Sequence, residues 1–375
     1  MRESLLERIW LAAPVLLSVA VTTLLLAVVG ANPLTTYGSL VDGAFGSTER
    51  LLTTLAFWVP LLFCATGLLV TFNTGLWNIG VEGQMIMGAI GASWVALTVD
   101  QLNLGLPGWV IVPLELLVAA AFGAGYGALA GVLKTRGGVH EIFGGVALNN
   151  LAIIATNFLI SGPWQPPEGG SFRGTVPFPS EAMLPLLGNS RFSPLSLGLA
   201  LLLLLGVALI LGRTTWGLKL RALGKNLRAA FLLGVPSERE MLNAMMLCGA
   251  LAGLAGSVRV LSWFDSLRQS ISGGIGFLAI LIVLLAGSRP VWTMLIALLF
   301  SALLNGGTIV NLRTQLHSSL SGIIQGTLVL FVLLFGEYRK LFRGKAAESG
   351  ASPPGAAPAA GSGSTTGAGD SGVMA

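Results

Sequence analysis

Charge is scarce in this sequence. Lysine, arginine, aspartate and glutamate make up only 10% of its 375 residues, where soluble domains average about 25%. Set against 54% hydrophobic residues, that shortage excludes an ordinary soluble fold. It leaves an all-α polytopic membrane protein, because helices satisfy their own backbone in lipid. Histidine is nearly absent: His140 and His317 stand far apart and give no ligand cluster for a metal. Cysteine is limited to Cys64 and Cys248, both in apolar stretches, so neither a disulfide nor a thiolate metal site is expected. The net charge of +5 does not point to nucleic acid, because the basic residues gather in loops beside the apolar runs. No cleavable signal peptide is expected, since the run after Arg8 is long enough to span and lacks a clear small-residue cleavage site.

What is present is a series of about ten apolar spans: 9–30, 51–70, a third ending near 100, 109–133, 139–160, 194–212, 241–261, a short eighth at 273–287, 291–310 and 320–336. The 31–50 connection is expected to hold a short surface helix. Residues 1–343 form the membrane domain; 344–375, rich in Ala, Gly, Pro and Ser, read as a disordered tail that cannot build a core. Ten spans put both termini on one side. With the N-terminus cytoplasmic, most of the 21 basic residues fall on cytoplasmic segments, as the positive-inside rule requires. Glycines four apart, Gly123, Gly127 and Gly131 in the fourth span and Gly249 and Gly253 in the seventh, predict close helix packing.

The third span opens on an interruption, TFNTGLWNIGVEGQMIMGAIGAS. Asn73, Asn78, Glu82 and Gln84 sit among glycines in apolar surroundings, and polar groups in lipid tend to face a bundle interior or a water-filled path. Gly274-Ile-Gly-Phe-Leu opens the eighth span in the same manner. Spans two to five and seven to ten then make an inverted repeat, an arrangement that places cargo near the midplane. The expected path residues are Phe72, Asn73, Trp77, Asn78, Glu82, Asn149, Asn150 and Phe277. Glu82 has two readings, lining the path or accepting backbone N–H groups as a structural cap. A helix over 78–89 puts Asn78 and Glu82 on one face and Gln84 on another. The aromatics Phe72, Trp77 and Phe277 suit either stacking on a planar ligand or ordinary packing. Asn149 and Asn150 suit either a path or inter-helix hydrogen bonds. His140-Glu141 reads as a helix cap or a proton relay, and Arg259, Asp265 and Arg268 as solvated charge at the outer end of the seventh span or as contacts for an external partner.

The loop 213–240 is the second informative stretch. In GLKLRALGKNLRAAFLLGVP the residues Leu218, Leu220, Leu223, Leu227, Ala230 and Phe231 recur at near-helical spacing between basic side chains. Gly224, Gly234 and Pro236 divide it into short pieces. Such a stretch docks in a groove on a partner protein or lies on anionic lipid. It is not an ATP site: Gly212 and Gly217 have P-loop spacing, but Leu218 occupies the lysine position. No enzymatic activity is expected of this chain.

LWNIGVEGQMIMGA resembles the FNIGxEGQ signature of bacterial ATP-binding-cassette (ABC) importer permeases of the nucleoside and simple-sugar group, relatives of the ribose and branched-chain amino acid permeases. Trp77 stands where the signature has Phe. The 217–236 loop is similar to that group's coupling loop, G…RAxGxNxxAAxxxGI, carried here by Gly217, Arg221, Gly224, Asn226, Arg228, Ala229, Ala230 and Gly234. NPLTTYGSLVDGAFGS and GVHEIFGGVALNNLA add to the likeness. The resemblance implies a multi-pass protein of the bacterial inner membrane and a second, related permease beside it. It implies separate cytoplasmic ATPase subunits that bind ATP and magnesium, and an extracytoplasmic binding protein or lipoprotein that delivers a nucleoside. A simple sugar or other small polar solute is the alternative cargo. An ion-coupled secondary transporter, with Glu82 as its one deep protonatable group, is a further alternative.

Overall fold

The computed structural model describes residues 16–167 and 174–314, with short pieces at 322–323, 326–327 and 330–331. The described residues are helical throughout, apart from connections and one isolated bridge between Gly174 and Arg268. Helix α1 (Leu16–Val28) and α2 (Pro33–Phe45) form a pair bent by 115°. The Asn32 side chain accepts from Leu34 N, and Pro33 sits at the first turn, where its missing N–H costs nothing. α3 (Thr48–Asn73), α4 (Val81–Gln101), α5 (Gly108–Thr135), α6 (Glu141–Ser161) and α7 (Pro194–Arg213) follow. α8 (Thr215–Lys225) and α9 (Leu227–Leu232) are short; α10 (Ser237–Val258) is prolonged by a π-turn, Arg259–Phe264. α11 (Ile275–Leu285) and α12 (Pro290–Thr314) complete the described chain.

Among the described residues six helices are long and apolar enough to cross a membrane, seven if the bent α1–α2 pair is one span. The fold is thus polytopic and all-helical, as the composition requires. Three of the expected spans differ in detail. The third starts only at Val81, the eighth is an 11-residue helix, and the tenth lies largely outside the described residues, as does the 344–375 tail. The short helix expected at 31–50 is α2. It docks on α12 through Asn305, whose amide donates to Gly43 O (3.1 Å), Arg50 O (2.9 Å) and Thr54 Oγ1 (3.0 Å). Asp42 pairs with Arg50 and with Arg313, each at 2.7 Å.

α3, α4 and α10 are the central helices, and most of α4 is buried. In the most apolar windows of α3 and α10 78% and 83% of residues are buried, against 22% in α5 and 28% in α6 and α7. α4, α5 and α10 meet along the predicted glycine rows. A side chain at Gly123 would overlap the Gly249 carbonyl, one at Gly127 the Met245 carbonyl, and one at Gly88 the backbone of Gly253. With no Cβ in the way, the three backbones touch, and dispersion and packing hold the bundle where lipid offers no hydrophobic drive. Arg259 departs from the expectation of solvated charge. It is 6% exposed, and its guanidinium lies 4.7 Å from the Phe264 ring centroid and 5.3 Å from that of Trp263. The π-turn carries it inward and its Nε donates to Ile271 O at 3.3 Å. Asp265 remains outside, near Arg191 and Arg268.

Candidate functional site

The interruption between α3 and α4 is real and begins earlier than Asn78. α3 ends at Asn73, Gly75 takes a left-handed turn (φ 77°), and 74–80 run without helix until Val81. Gly80 caps α4 without a side-chain bond, so the first N–H groups of α4 need partners from elsewhere. Asn149 on α6 supplies one. Its Oδ1 accepts from Gly83 N at 2.7 Å, and its Nδ2 donates to Ile79 O at 2.9 Å. One amide thus satisfies a donor and an acceptor that the break exposes. Asn78 is buried and its amide exchanges two bonds with the Gln84 amide, at 2.9 and 3.2 Å, while also reaching Cys248 Sγ at 3.0 Å. The expected separation of Asn78 from Gln84 is therefore wrong. It assumed a helix through Asn78, whereas the extended segment lets Asn78 fold back over the first turn of α4.

Glu82 joins the two interruptions. Its Oε1 accepts from Gly274 N at 3.1 Å and its Oε2 from Gly276 N at 2.7 Å. Gly276 has to be glycine for this, since a Cβ there would lie 2.6 Å from Oε2. Glu82 occupies the first turn of α4 and caps the first turn of α11, so two helix N-termini converge on one carboxylate. Each terminus carries a partial positive charge of roughly half a unit. That and the charge-assisted bonds hold the carboxylate in the bundle, and among the described residues no basic side chain pairs with it.

Beside the carboxylate lies a cavity of about 360 Å³, within the range of roughly 300–1,000 Å³ usual for small-molecule sites. Glu82, Ile86, Ile153, Thr156, Asn157 and Phe277 line it, with the loop 270–274. That loop is unusual: Ser270, Gly273 and Gly274 all have positive φ, which turns it back toward α11. α6 forms one wall of the cavity, through Ile153, Thr156 and Asn157, and α11 with its preceding loop forms the other.

The structure divides the eight expected path residues. Glu82 and Phe277 line the cavity. Asn78 and Asn149 are buried in the stitching of the break. Asn150 is exposed and bonds its own helix at Val146 O (3.0 Å). Phe72, Asn73 and Trp77 lie at the other end of the break, the first and last with ring centroids 5.5 Å apart, and the Asn73 amide turns back to Leu69 O (2.7 Å). Thr156, Asn157, Ser270 and Ser272 complete the polar lining and were not among the expected residues. The available signal was polarity within an apolar span at 156–157 and serine in a glycine-flanked loop.

The loop 213–240 is built as short pieces, but Gly224, expected to break it, lies inside α8, and the division falls at Asn226. Thr214 caps α8 by accepting from Gly217 N (3.1 Å), and Asn226 ends α8 and caps α9 by accepting from Ala229 N (2.9 Å). The apolar residues do not form one stripe. Leu220, Leu223 and Ala230 are buried against the bundle, while Leu218, Leu227, Phe231, Leu232 and Leu233 are exposed. Both helices contribute to each set, one side of each facing the bundle and the other facing out. Arg221 and Arg228 are exposed with the second set. α8 is anchored to α10 by Glu240, which accepts from Trp216 Nε1 at 2.7 Å and faces Lys219 Nζ at 3.6 Å. At its far end Gly224 packs on the break itself: a Cβ at Gly75 would stand 3.1 Å from Gly224 Cα, and one at Gly224 would overlap the Asn73 carbonyl. His140-Glu141 sits at the head of α6, with His140 as N-cap and Glu141 paired to Lys134 at 2.5 Å.

The family model described as branched-chain amino acid transport system / permease component matches residues 50–333. The chain is 31% identical over 324 residues to the guanosine ABC transporter permease protein NupP of Bacillus subtilis, covering 85% of this chain and 90% of that one. It is 30% identical over 286 residues to the nucleoside ABC transporter permease protein NupB of Lactococcus lactis, covering 74% and 77%. It is also 30% identical over 343 residues to the glucose ABC transporter permease protein TsgB13 of Haloferax volcanii, covering 88% and 87%.

Proposed function

Because this chain belongs to the family of branched-chain amino acid transport system permease components, we propose that it is a permease subunit of an ABC importer and carries nucleosides. The observation that carries this reading is the cavity at the meeting of the two interruptions, with polar side chains and one open aromatic ring in an otherwise apolar bundle. Two of the three relatives described above are named for nucleosides or guanosine. One is named for glucose, and that makes a simple sugar the competing cargo.

Ile153 and Phe277, on the two walls of the cavity, are both exposed. On this reading a second permease covers that exposed side and contributes the other half of the path. The basic face carrying α8 and α9 is the cytoplasmic one, in keeping with the charge distribution of the loops. Separate ATPase subunits, which bind ATP and magnesium, seat on that face, where a groove of about 520 Å³ is lined by Arg136, Phe231, Pro236, Glu238 and Arg239 among others. An extracytoplasmic binding protein delivers cargo from the opposite side. Closure of the ATPases moves α8. The Trp216–Glu240 bond passes that motion to α10, and the Gly224–Gly75 contact passes it to the break, so that the two interruptions open to one side at a time.

The test is uptake of radiolabelled nucleosides and glucose by liposomes holding the complete importer. Nucleoside uptake that depends on ATP and is competed by other nucleosides is expected; uptake of glucose alone contradicts the cargo assignment. In the same liposomes Arg221→Glu with Arg228→Glu is expected to leave insertion intact and to separate ATP hydrolysis from uptake, with uptake reduced at least about tenfold. Normal coupled uptake by that double variant counts against docking at α8–α9.

A further inference from the structure

We propose that Asn157 reads the hydrogen-bonding edge of the nucleobase while Phe277 stacks on its face, an inference that rests on the nucleoside reading above. The cavity's polar groups are not equally free. Both oxygens of Glu82 already accept from Gly274 and Gly276, and the Thr156 hydroxyl donates to its own helix at Ala152 O (3.0 Å). Ser272 bonds Glu82, whereas Asn157 and the Ser270 hydroxyl make no hydrogen bond with the described residues; of these two, only Asn157, partly buried in the cavity wall, offers an acceptor and a donor side by side. Phe277 leaves 45% of its surface open on the second helix that flanks the same cavity. A free amide and an open ring at one apolar site match a planar heterocycle with donors and acceptors along its rim.

The amide also sets the specificity. It presents one acceptor and one donor side by side and can turn over. Adenine offers N6–H with N1, guanine O6 with N1–H, and cytosine and uracil offer equivalent neighbouring pairs. One amide therefore serves every base, and the wild-type importer is expected to rank them closely. An ionised carboxylate only accepts. Among these bases guanine alone has two adjacent donors, N1–H and the N2 amino group. Asn157→Asp turns a general reader into a guanine reader.

The experiment measures initial rates for guanosine, adenosine, cytidine and uridine in liposomes holding the complete importer, at mildly alkaline pH to keep the new carboxylate ionised. The guanosine-to-adenosine ratio is expected to rise by at least about tenfold in Asn157→Asp, in line with the discrimination a bidentate pair supplies. Phe277→Leu is expected to raise KM for all four roughly tenfold, and Phe277→Trp to restore it. A wild-type importer that carries no nucleoside defeats the reading this rests on. Wild-type nucleoside uptake with an Asn157→Asp ratio that does not move defeats the inference alone. Where Asn157→Asp does not assemble, Asn157→Leu, which suits a membrane span, decides: a raised KM for every nucleoside supports the inference and an unchanged KM overturns it.

Discussion

Valine in place of Gly123 is expected to leave no assembled protein in the membrane, whereas valine at Gly125, two residues along the same helix, is expected to be harmless. The contrast follows from what each new side chain meets. At Gly123 the Cβ alone would overlap the Gly249 carbonyl and stand 2.9 Å from Gly253 N and Cα, while at Gly125 nothing lies within 4 Å. Overpacking a core usually costs about 1–3 kcal/mol, when side chains can move aside. Here the obstacle is backbone on both sides, so α5 and α10 must separate. Separation would also undo the contact of Gly88 with Gly253 and that of Gly256 with Met85, by which α4 joins the same seam. The level of each variant in purified membranes, and its elution by size after extraction, checks the prediction. Equal levels of the two variants would mean that the seam is not what holds the bundle.

Removal of the Glu82 carboxylate is the second large effect. Glu82→Ala leaves the N–H groups of Gly274 and Gly276 without their acceptor inside the bundle, at about 1–3 kcal/mol for each. It also removes the negative charge that two helix N-termini share. Glu82→Gln is expected to fall between, because one amide oxygen accepts one N–H while the amide NH2 opposes the other. Thermal midpoints of the extracted complex should run wild type, Gln, Ala. Uptake should fall in the same order, at least about tenfold for alanine, with the ranking of nucleosides unchanged. A changed ranking at undiminished stability would instead make Glu82 a contact of the cargo.

The features legible in the sequence were those written at short range. Glycines four apart on 123–131 and on 249–253 announce helices without side chains on one face, and these rows do meet. The 217–236 stretch does fall into short helices, but the division comes at Asn226 and not at Gly224, which stays inside α8; Gly234, with φ 81°, follows the end of α9 as expected. The illegible features depend on partners far along the chain. Glu82 alone does not disclose whether its oxygens meet cargo or backbone; the answer lies 192 residues away at Gly274. Asn149, Asn150 and Asn157 look alike as three amides in one apolar span. Helix rotation separates them: Asn149 and Thr156, seven residues apart, share the inward side, whereas Asn150 and Asn157 share its flank. Of that second pair, only Asn157 reaches the cavity. Arg259 is not at the rim that its place in the sequence suggests, because a π-turn, invisible in composition, carries it to a ring-lined interior.

The central claim is that cargo crosses where the two interrupted helices meet, and one residue permits a direct test. Ile153 is on the cavity wall, is 42% exposed, and is assigned no polar role; the native thiols Cys64 and Cys248 are buried. In liposomes holding the complete importer with Ile153→Cys, ATP-driven nucleoside uptake is measured before and after complete reaction with a bulky maleimide. The account predicts that labelling stops uptake and that saturating nucleoside slows the labelling. Undiminished uptake by the fully labelled importer would contradict it.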